Sequence, residues 1–186
     1  MQSLRTNSLN RRLTQRMAGG AVVEMALFLP FLLILLFGVV DFARAVHYDN
    51  ILVHISREGA NLASRTLTPK QNIINALSQT AEPLDIQQDG MIYITTIVGL
   101  PNGFGRIQGQ ARSAQGNQSL SSRIWQCPGW NGDNTCQING QGPIIDLGVP
   151  LASGETIQAV ESQYEYDMLI NFITDQGPEL YALTIL

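Results

Sequence analysis

The sequence predicts an α+β fold: a long N-terminal helix, transmembrane and then amphipathic, packed on a small antiparallel sheet. Three observations predict it. An uncharged apolar run, MALFLPFLLILLFGVV, extends from Met25 to Val40. Apolar residues then recur at spacings of three and four from Ala45 to Leu62, the period of one helix face. Beyond Pro83, β-branched and alternating segments take over without crossover helices between them, so the strands pair antiparallel. The chain has 186 residues, room for one domain with appendages, and only 14% of them are charged, against about 25% in soluble globular proteins. Its net charge of −4 is unevenly spread. Residues 1–19 carry Arg5, Arg11, Arg12 and Arg16 and no acid, whereas residues 41–186 carry 7 bases and 14 acids. An acidic main body with a single lysine, Lys70, argues against nucleic-acid binding, which needs clustered positive charge. The composition disfavours a cytosolic soluble enzyme and suggests a protein partitioned by a membrane.

Residues 1–19 read as a basic leader that stays in the cytoplasm. Residues 20–40 read as a transmembrane helix, interrupted only by Glu24. As a helix this stretch is about 31 Å long, matching a hydrocarbon core of about 30 Å. Four arginines precede it and only Arg44 follows closely, so the positive-inside rule places everything after Val40 on the exported side of the cytoplasmic membrane. The expectation is a single-pass protein with its C-terminal domain periplasmic or extracellular. Ala43-Arg44-Ala45 offers a signal-peptidase site, but the apolar region exceeds the usual signal length and Asp41 and Arg44 sit where small neutral residues are normal. Pro30 cannot donate to the carbonyl of Ala26, so a bend is expected there. Glu24 has two readings, a side chain that snorkels to the interface or a functional carboxylate in an apolar segment.

The helix continues as an amphipathic segment, residues 41–66, with Ala45, Tyr48, Leu52, Ile55, Gly59 and Leu62 on its packing stripe. It is expected to run unbroken from about Gly20 to Arg65 and to end at Thr66–Pro69. The exported α+β domain, residues 67–186, opens with a short helix over Lys70–Glu82 that turns Ile73, Ile74 and Leu77 inward and stops at Pro83. Met91–Val98 (MIYITTIV) fits a central strand. Glu155–Tyr166 reads as a strand whose apolar parity switches from Ile157 and Ala159 to Val160, Tyr164 and Tyr166, which implies a bulge or bend. Leu180–Leu186 is a strand and Ile144–Val149 a short one. Residues 99–142, rich in Gly, Asn, Gln and Ser, read as a long surface loop holding Cys127 and Cys136. Export to an oxidising compartment favours a disulfide between them, stabilising by about 2–3 kcal/mol. Trp125 and Trp130 flank the first cysteine, either as a miniature core of the stapled loop or as a ligand platform.

The leader, the sequence Gly19-Gly20-Ala21-Val22-Val23-Glu24-Met25 and the Pro-containing apolar helix resemble a type IV-like prepilin. The chain from Gly19 to Arg65 resembles, more closely, the TadE-like family, pseudopilins or minor pilins of the tight-adherence (Flp/Tad) pilus. The residues that carry it are Gly19, Val23-Glu24-Met25, Pro30, Gly38, Asp41-Phe42, Arg44 and Arg57-Glu58-Gly59-Ala60. Met25 departs from the aromatic residue common at its position, and the polar insertion of the exported part is long. The resemblance implies a pilin-like fold and cleavage by a prepilin peptidase between Gly19 and Gly20, which makes Glu24 the fifth mature residue; a cut after Gly20 is the second choice. It implies that Glu24 pairs with the N-terminal amine of a neighbouring subunit. The implied partners are the peptidase, other pilin-like subunits, the inner-membrane assembly platform and the lipid bilayer, and the implied activity is pilus assembly and surface attachment.

No catalytic, cofactor-binding or metal-binding set is expected. His47 and His54 lie on one helix without converging ligands. Asn131-Gly132-Asp133-Asn134 lacks the full ligand set and terminal Glu of a calcium loop, and Gly99, Gly103 and Gly105 are not followed by Lys-Ser/Thr. The serines have no arranged histidine partner. The competing reading is an unprocessed, membrane-anchored periplasmic binding module whose disulfide loop meets a ligand; a soluble domain cut after Ala45 is the third.

Overall fold

The computed structural model describes residues 6–138, 140–169 and 177–186, and of residues 6–19 the backbone alone. The chain divides into two compact units, Met1–Ala43 and Arg44–Leu186. Helix α1 has the bounds Thr6–Arg65. It ends where the sequence predicts but starts well before Gly20. Residues 6–18 hold no proline, and Leu, Arg, Gln, Met and Ala among them are good helix formers. The first five residues of the leader lie outside the described residues.

In the first unit, residues 20–40 are helical and exposed throughout. Pro30 stands inside the helix without ending it. Gly20–Arg65 contains a window of mean hydropathy 2.6, none of it buried. Among the described residues this is the one helix long and apolar enough to cross a membrane.

In the second unit, Arg44–Arg65 of α1 and helix α2 (Lys70–Thr80) cover one face of a five-stranded antiparallel sheet. Its strands are β1 (Gly90–Gly99), β2 (Gly105–Arg112), β3 (Ile144–Ile145), β4 (Thr156–Glu165) and β5 (Glu179–Ile185), in the order β3-β2-β1-β4-β5. Strand β1 is central, as its continuous apolar run implies, and lies between β2 and β4. The fold is the α+β, pilin-like arrangement that the sequence predicts: a long N-terminal helix and a small antiparallel sheet.

The predicted inward residues of α2, Ile73, Ile74 and Leu77, are buried. They join Leu52, Ile55 and Ala60 of α1 against Ile92 and Ile94 of β1, Val160 and Tyr164 of β4 and Ala182 of β5. Burial of each large aliphatic side chain contributes about 1.5–3 kcal/mol. Helix and sheet are also tied by polar bonds: Ser162 Oγ donates to the Leu52 carbonyl at 2.9 Å, and the Ser56 and Thr184 hydroxyls meet at 2.9 Å.

Three expectations need correction. Residues 99–142 are not one loop, because β2 lies within them and pairs with β1 from Tyr93↔Arg112 to Gly99↔Gly105. Its sequence GRIQGQAR has too few apolar residues to announce a strand, yet the β1 edge supplies its backbone partners. The bulge expected in β4 is absent: β4 pairs in unbroken register with both β1 and β5. The register shift lies between β1 and β2, at Thr96/Ile97. Both faces of β4 are covered, so Ile157 and Ala159 pack on one side and Val160 and Tyr164 on the other, and no change of parity is needed. The strand expected over Ile144–Val149 shrinks to Ile144–Ile145.

The second face of the sheet is covered by the segment between β2 and β4. Ile97, Ile157 and Ala159 pack against Ile124, Ile145, Leu147 and Leu151, and Met91 and Tyr93 pack against Leu120 and Trp130. Between these two apolar clusters lies a polar stretch built on Thr95, Gln110, Ser122 and Glu161, all buried.

Candidate functional site

The residues that the sequence singles out fall into two groups, one in each unit. The first is the apolar helix. Val22, Met25, Phe28 and Phe31 are all more than 60% exposed. Such a surface is unfavourable in water at about 25 cal/mol per Å² and neutral in hydrocarbon. Glu24 stands exposed on this surface as its single acid. A side chain built at Gly20 or Gly38 meets nothing within 4 Å, so both positions leave open helix surface. Gly19 is helical in its backbone, and its surroundings lie outside the described residues.

The Arg57-Glu58-Gly59-Ala60 sequence belongs to the second unit, and the packing explains half of it. Arg57 and Glu58 are exposed, whereas Gly59 and Ala60 are buried. A Cβ at Gly59 would sit 2.8 Å from Leu77 Cδ1 and 3.1 Å from Val160 Cγ1. Glycine here lets α1 approach α2 and β4 closely. One end of the helix stripe is marked by Tyr48, whose ring meets those of Tyr164 and Tyr166 edge-on at 5.9 and 5.5 Å. The Arg44 guanidinium lies over Tyr48 and Tyr166 at 5.8 and 5.7 Å. His47 and His54 are exposed.

The second group surrounds the cysteines. Cys127 and Cys136 are joined in a disulfide with their Cα atoms 5.8 Å apart. Trp130 packs on the sheet rather than on Trp125: its ring is 6.1 Å from that of Tyr93, and the Arg112 guanidinium lies 4.5 Å from its centroid. Burial pushes the Tyr93 phenol up to about 12, against the opposing pull of Arg112, and its hydroxyl donates to the Leu120 carbonyl at 2.7 Å. Trp125 is half-buried; its carbonyl accepts from Gln110 Nε2 at 3.1 Å and its N–H donates to Ser122 Oγ at 3.3 Å. Asp133 accepts from the Thr135 N–H and hydroxyl at 3.1 and 2.6 Å, which holds its carboxyl below the usual range.

The sequence reading misses the residue that organises this region. Glu161 is completely buried. One of its carboxylate oxygens accepts the Arg123 and Ile124 N–H groups at 2.8 and 3.2 Å and the Tyr181 hydroxyl at 3.0 Å; the other accepts the Ser122 hydroxyl. Burial, and then the charge of Glu161, push the Tyr181 phenol well above its ordinary value. Arg123 covers the Tyr181 ring at 4.2 Å and pairs with Glu179 at 2.9 Å. These bonds anchor residues 122–124, and with them the start of the disulfide segment, to β4 and β5. The signal in the sequence is an acid at the third place of the alternation Ile157, Ala159, Glu161, Gln163.

Set against known proteins, no curated protein and no solved structure matches the chain. Residues 19–61 match the model of the family described as TadE-like protein. The match takes in Glu24, the apolar helix and Arg57-Glu58-Gly59-Ala60, and over these residues the chain is similar to the family that its sequence resembles.

Proposed function

We propose that this protein is a minor pilin or pseudopilin of a tight-adherence pilus, not an enzyme. Its leader stays in the cytoplasm, a prepilin peptidase removes residues 1–19, and the apolar helix remains in the inner membrane until it packs against other pilin-like helices on the assembly platform. The observation that carries the reading is an apolar helix surface without cover, bearing one carboxylate, Glu24, inside the TadE-like segment. Cleavage after Gly19 creates an amine at Gly20, four residues before that carboxylate. Where water is scarce, an amine of one subunit and a carboxylate of the next attract strongly. A carboxylate left unpaired in the apolar segment is costly, by less than the figure of about 2.5–3.5 kcal/mol for a bilayer-centre position because Glu24 lies near the end of the span. Pairing therefore favours helices that sit side by side in register. Open positions such as Gly20 and Gly38 favour close helix approach in lipid. The α+β unit is then carried on the filament or at its base, where it serves surface attachment.

N-terminal sequencing and intact mass of the protein from its native membrane test the processing step. A chain that begins at Gly20 supports it; an intact Met1 overturns it and favours the anchored binding module. Glu24→Gln tests assembly. The expected outcome is normal insertion with piliation reduced at least tenfold, and unchanged piliation would remove the pairing role.

A further inference from the structure

Between the start of α2 and the disulfide segment lies a cleft of about 550 Å³, within the range of about 300–1,000 Å³ typical of small-molecule sites. It is lined by Pro69, Lys70 and Gln71, by Gly109 and Ala111 of β2, and by residues 133–136. A missing side chain opens it. Gly109 stands opposite Thr96 on the helix-covered face, and a Cβ built there meets nothing within 4 Å.

Beside that gap sits Lys70, the only lysine of the chain. Its ammonium donates to Thr96 Oγ1, and the Thr96 hydroxyl donates onward to Gln158 Oε1 at 2.9 Å. That uses one of the three ammonium N–H groups. Among the described residues no carboxylate lies within ion-pair distance of it. Asp133 is the other titratable group in the lining, and Thr135 occupies it from two donors. Burial holds the Lys70 amine down at about 8, as befits a cation withdrawn from water without a counter-ion.

We propose that the cleft over Gly109 binds a small carboxylate with an apolar body: the carboxylate pairs with the Lys70 ammonium, and the body rests on Pro69, Ala111 and Cys136. One ammonium matches one carboxylate charge. A phosphate dianion would leave part of its charge unpaired against apolar walls, which is costly. This site is independent of the pilus reading, because none of its residues lies in the TadE-like segment.

The test uses the full chain in nanodiscs of zwitterionic lipid, labelled with lysine that carries ¹³C at its ε carbon. With one lysine in the chain, one signal reports the site. Benzoate is the probe and inorganic phosphate the comparison. Benzoate at ten times its Kd is expected to raise the midpoint of the Lys70 titration by about one pH unit, since only the charged amine binds it. Phosphate at equal concentration is expected to leave it near its starting value. Gly109→Leu fills the gap and is expected to abolish the rise. Lys70→Gln, followed through saturation transfer to benzoate itself, is expected to lose binding at least tenfold and does not rely on a crowded variant folding. An unmoved midpoint with benzoate, an equal rise with phosphate, or saturation transfer undiminished in Lys70→Gln would each overturn the proposal.

Discussion

The two faces of the sheet are closed by different means. The helix face is closed by aliphatic packing, with Leu52, Ile55, Ile74 and Leu77 laid over Ile92, Ile94 and Val160. The opposite face is closed in the middle by a buried carboxylate that gathers backbone N–H groups and hydroxyls, with apolar packing only at its two ends. An irregular segment cannot bury its backbone unless its polar groups find partners, and Glu161 supplies them from within the sheet. A helix satisfies its own backbone and docks chiefly by a stripe of side chains, with the Ser162–Leu52 and Ser56–Thr184 bonds added to it here. The difference teaches that a helix docks on a sheet through shape, whereas a loop docks through acceptors placed to receive it.

The strongest way to break this contrast is Glu161→Ala. It leaves two N–H groups and two hydroxyls without their acceptor, each worth about 1–3 kcal/mol when left unsatisfied, and water recovers part of that. The expected loss is about 3 kcal/mol or more, large for a single substitution. It should be localised: Trp125 and Trp130 both lie in the covering segment, so tryptophan fluorescence of the full chain in micelles reads it directly, and amide exchange at Arg123 and Ile124 should accelerate. Glu161→Gln keeps one acceptor oxygen and should fall between. An Ala variant within about 0.5 kcal/mol of the parent would show that packing alone closes this face.

The same contrast decides what is legible in the sequence. On the helix face a repeated period announces each contact: the stripe from Ala45 to Leu62 and the trio Ile73, Ile74 and Leu77 are all placed correctly from spacing. Strand β2 is illegible because its helix-face positions are Gly109 and Ala111, small residues beside α2, and the rest of GRIQGQAR is mostly polar. Glu161 is illegible for a related reason. An acid on an alternating strand normally points to water, and here residues 122–124, folded over β4, turn that polar face inward. Burial of both faces in turn makes the expected bulge unnecessary. The apolar helix is legible because a bilayer demands a long uncharged run that few soluble structures produce. The cleft over Gly109 has no sequence signal, since it arises where a glycine, a lysine and a disulfide segment distant in the chain meet.

Gly59→Val sharpens the packing side of the comparison. Its Cβ meets Leu77 Cδ1 at 2.8 Å and Val160 Cγ1 at 3.1 Å, so the helix must shift or the side chains leave their rotamers, at about 1–3 kcal/mol. Gly59→Ala should cost less, because the gain of up to about 1 kcal/mol in helix propensity offsets part of the crowding. Gly38→Val in the first unit meets nothing within 4 Å and should leave the denaturation midpoint of the α+β unit unchanged. Equal midpoints for Gly59→Val and Gly38→Val would show that the buried glycine is not what sets the helix-to-sheet distance.

The smallest effect concerns charge at the end of the sheet where Asp89 precedes β1. Burial raises the Asp89 carboxyl above its ordinary value of 3.8, and the charges of Asp85, Glu165 and Asp167 raise it further. Glu165 is held there by Asn117 Nδ2, which donates to it at 2.6 Å. Because the folded state keeps the Asp89 proton at a pH where the unfolded chain has released it, folding is favoured as pH falls from the raised value towards 3.8. Stability then drops as pH rises through the folded value and stays lower above it. Asp89→Asn removes the repelling charge and is expected to stabilise the protein at neutral pH by less than about 1 kcal/mol, in keeping with a half-exposed site. The gain should fade as pH falls through the raised Asp89 value, where the folded protein takes up the proton and the repelling charge is already gone. Denaturant midpoints at pH 7 and pH 3.5 measure it: a gain of equal size at both would assign the effect to packing or hydrogen bonding at residue 89, and none at either would leave the four carboxylates too well hydrated to repel.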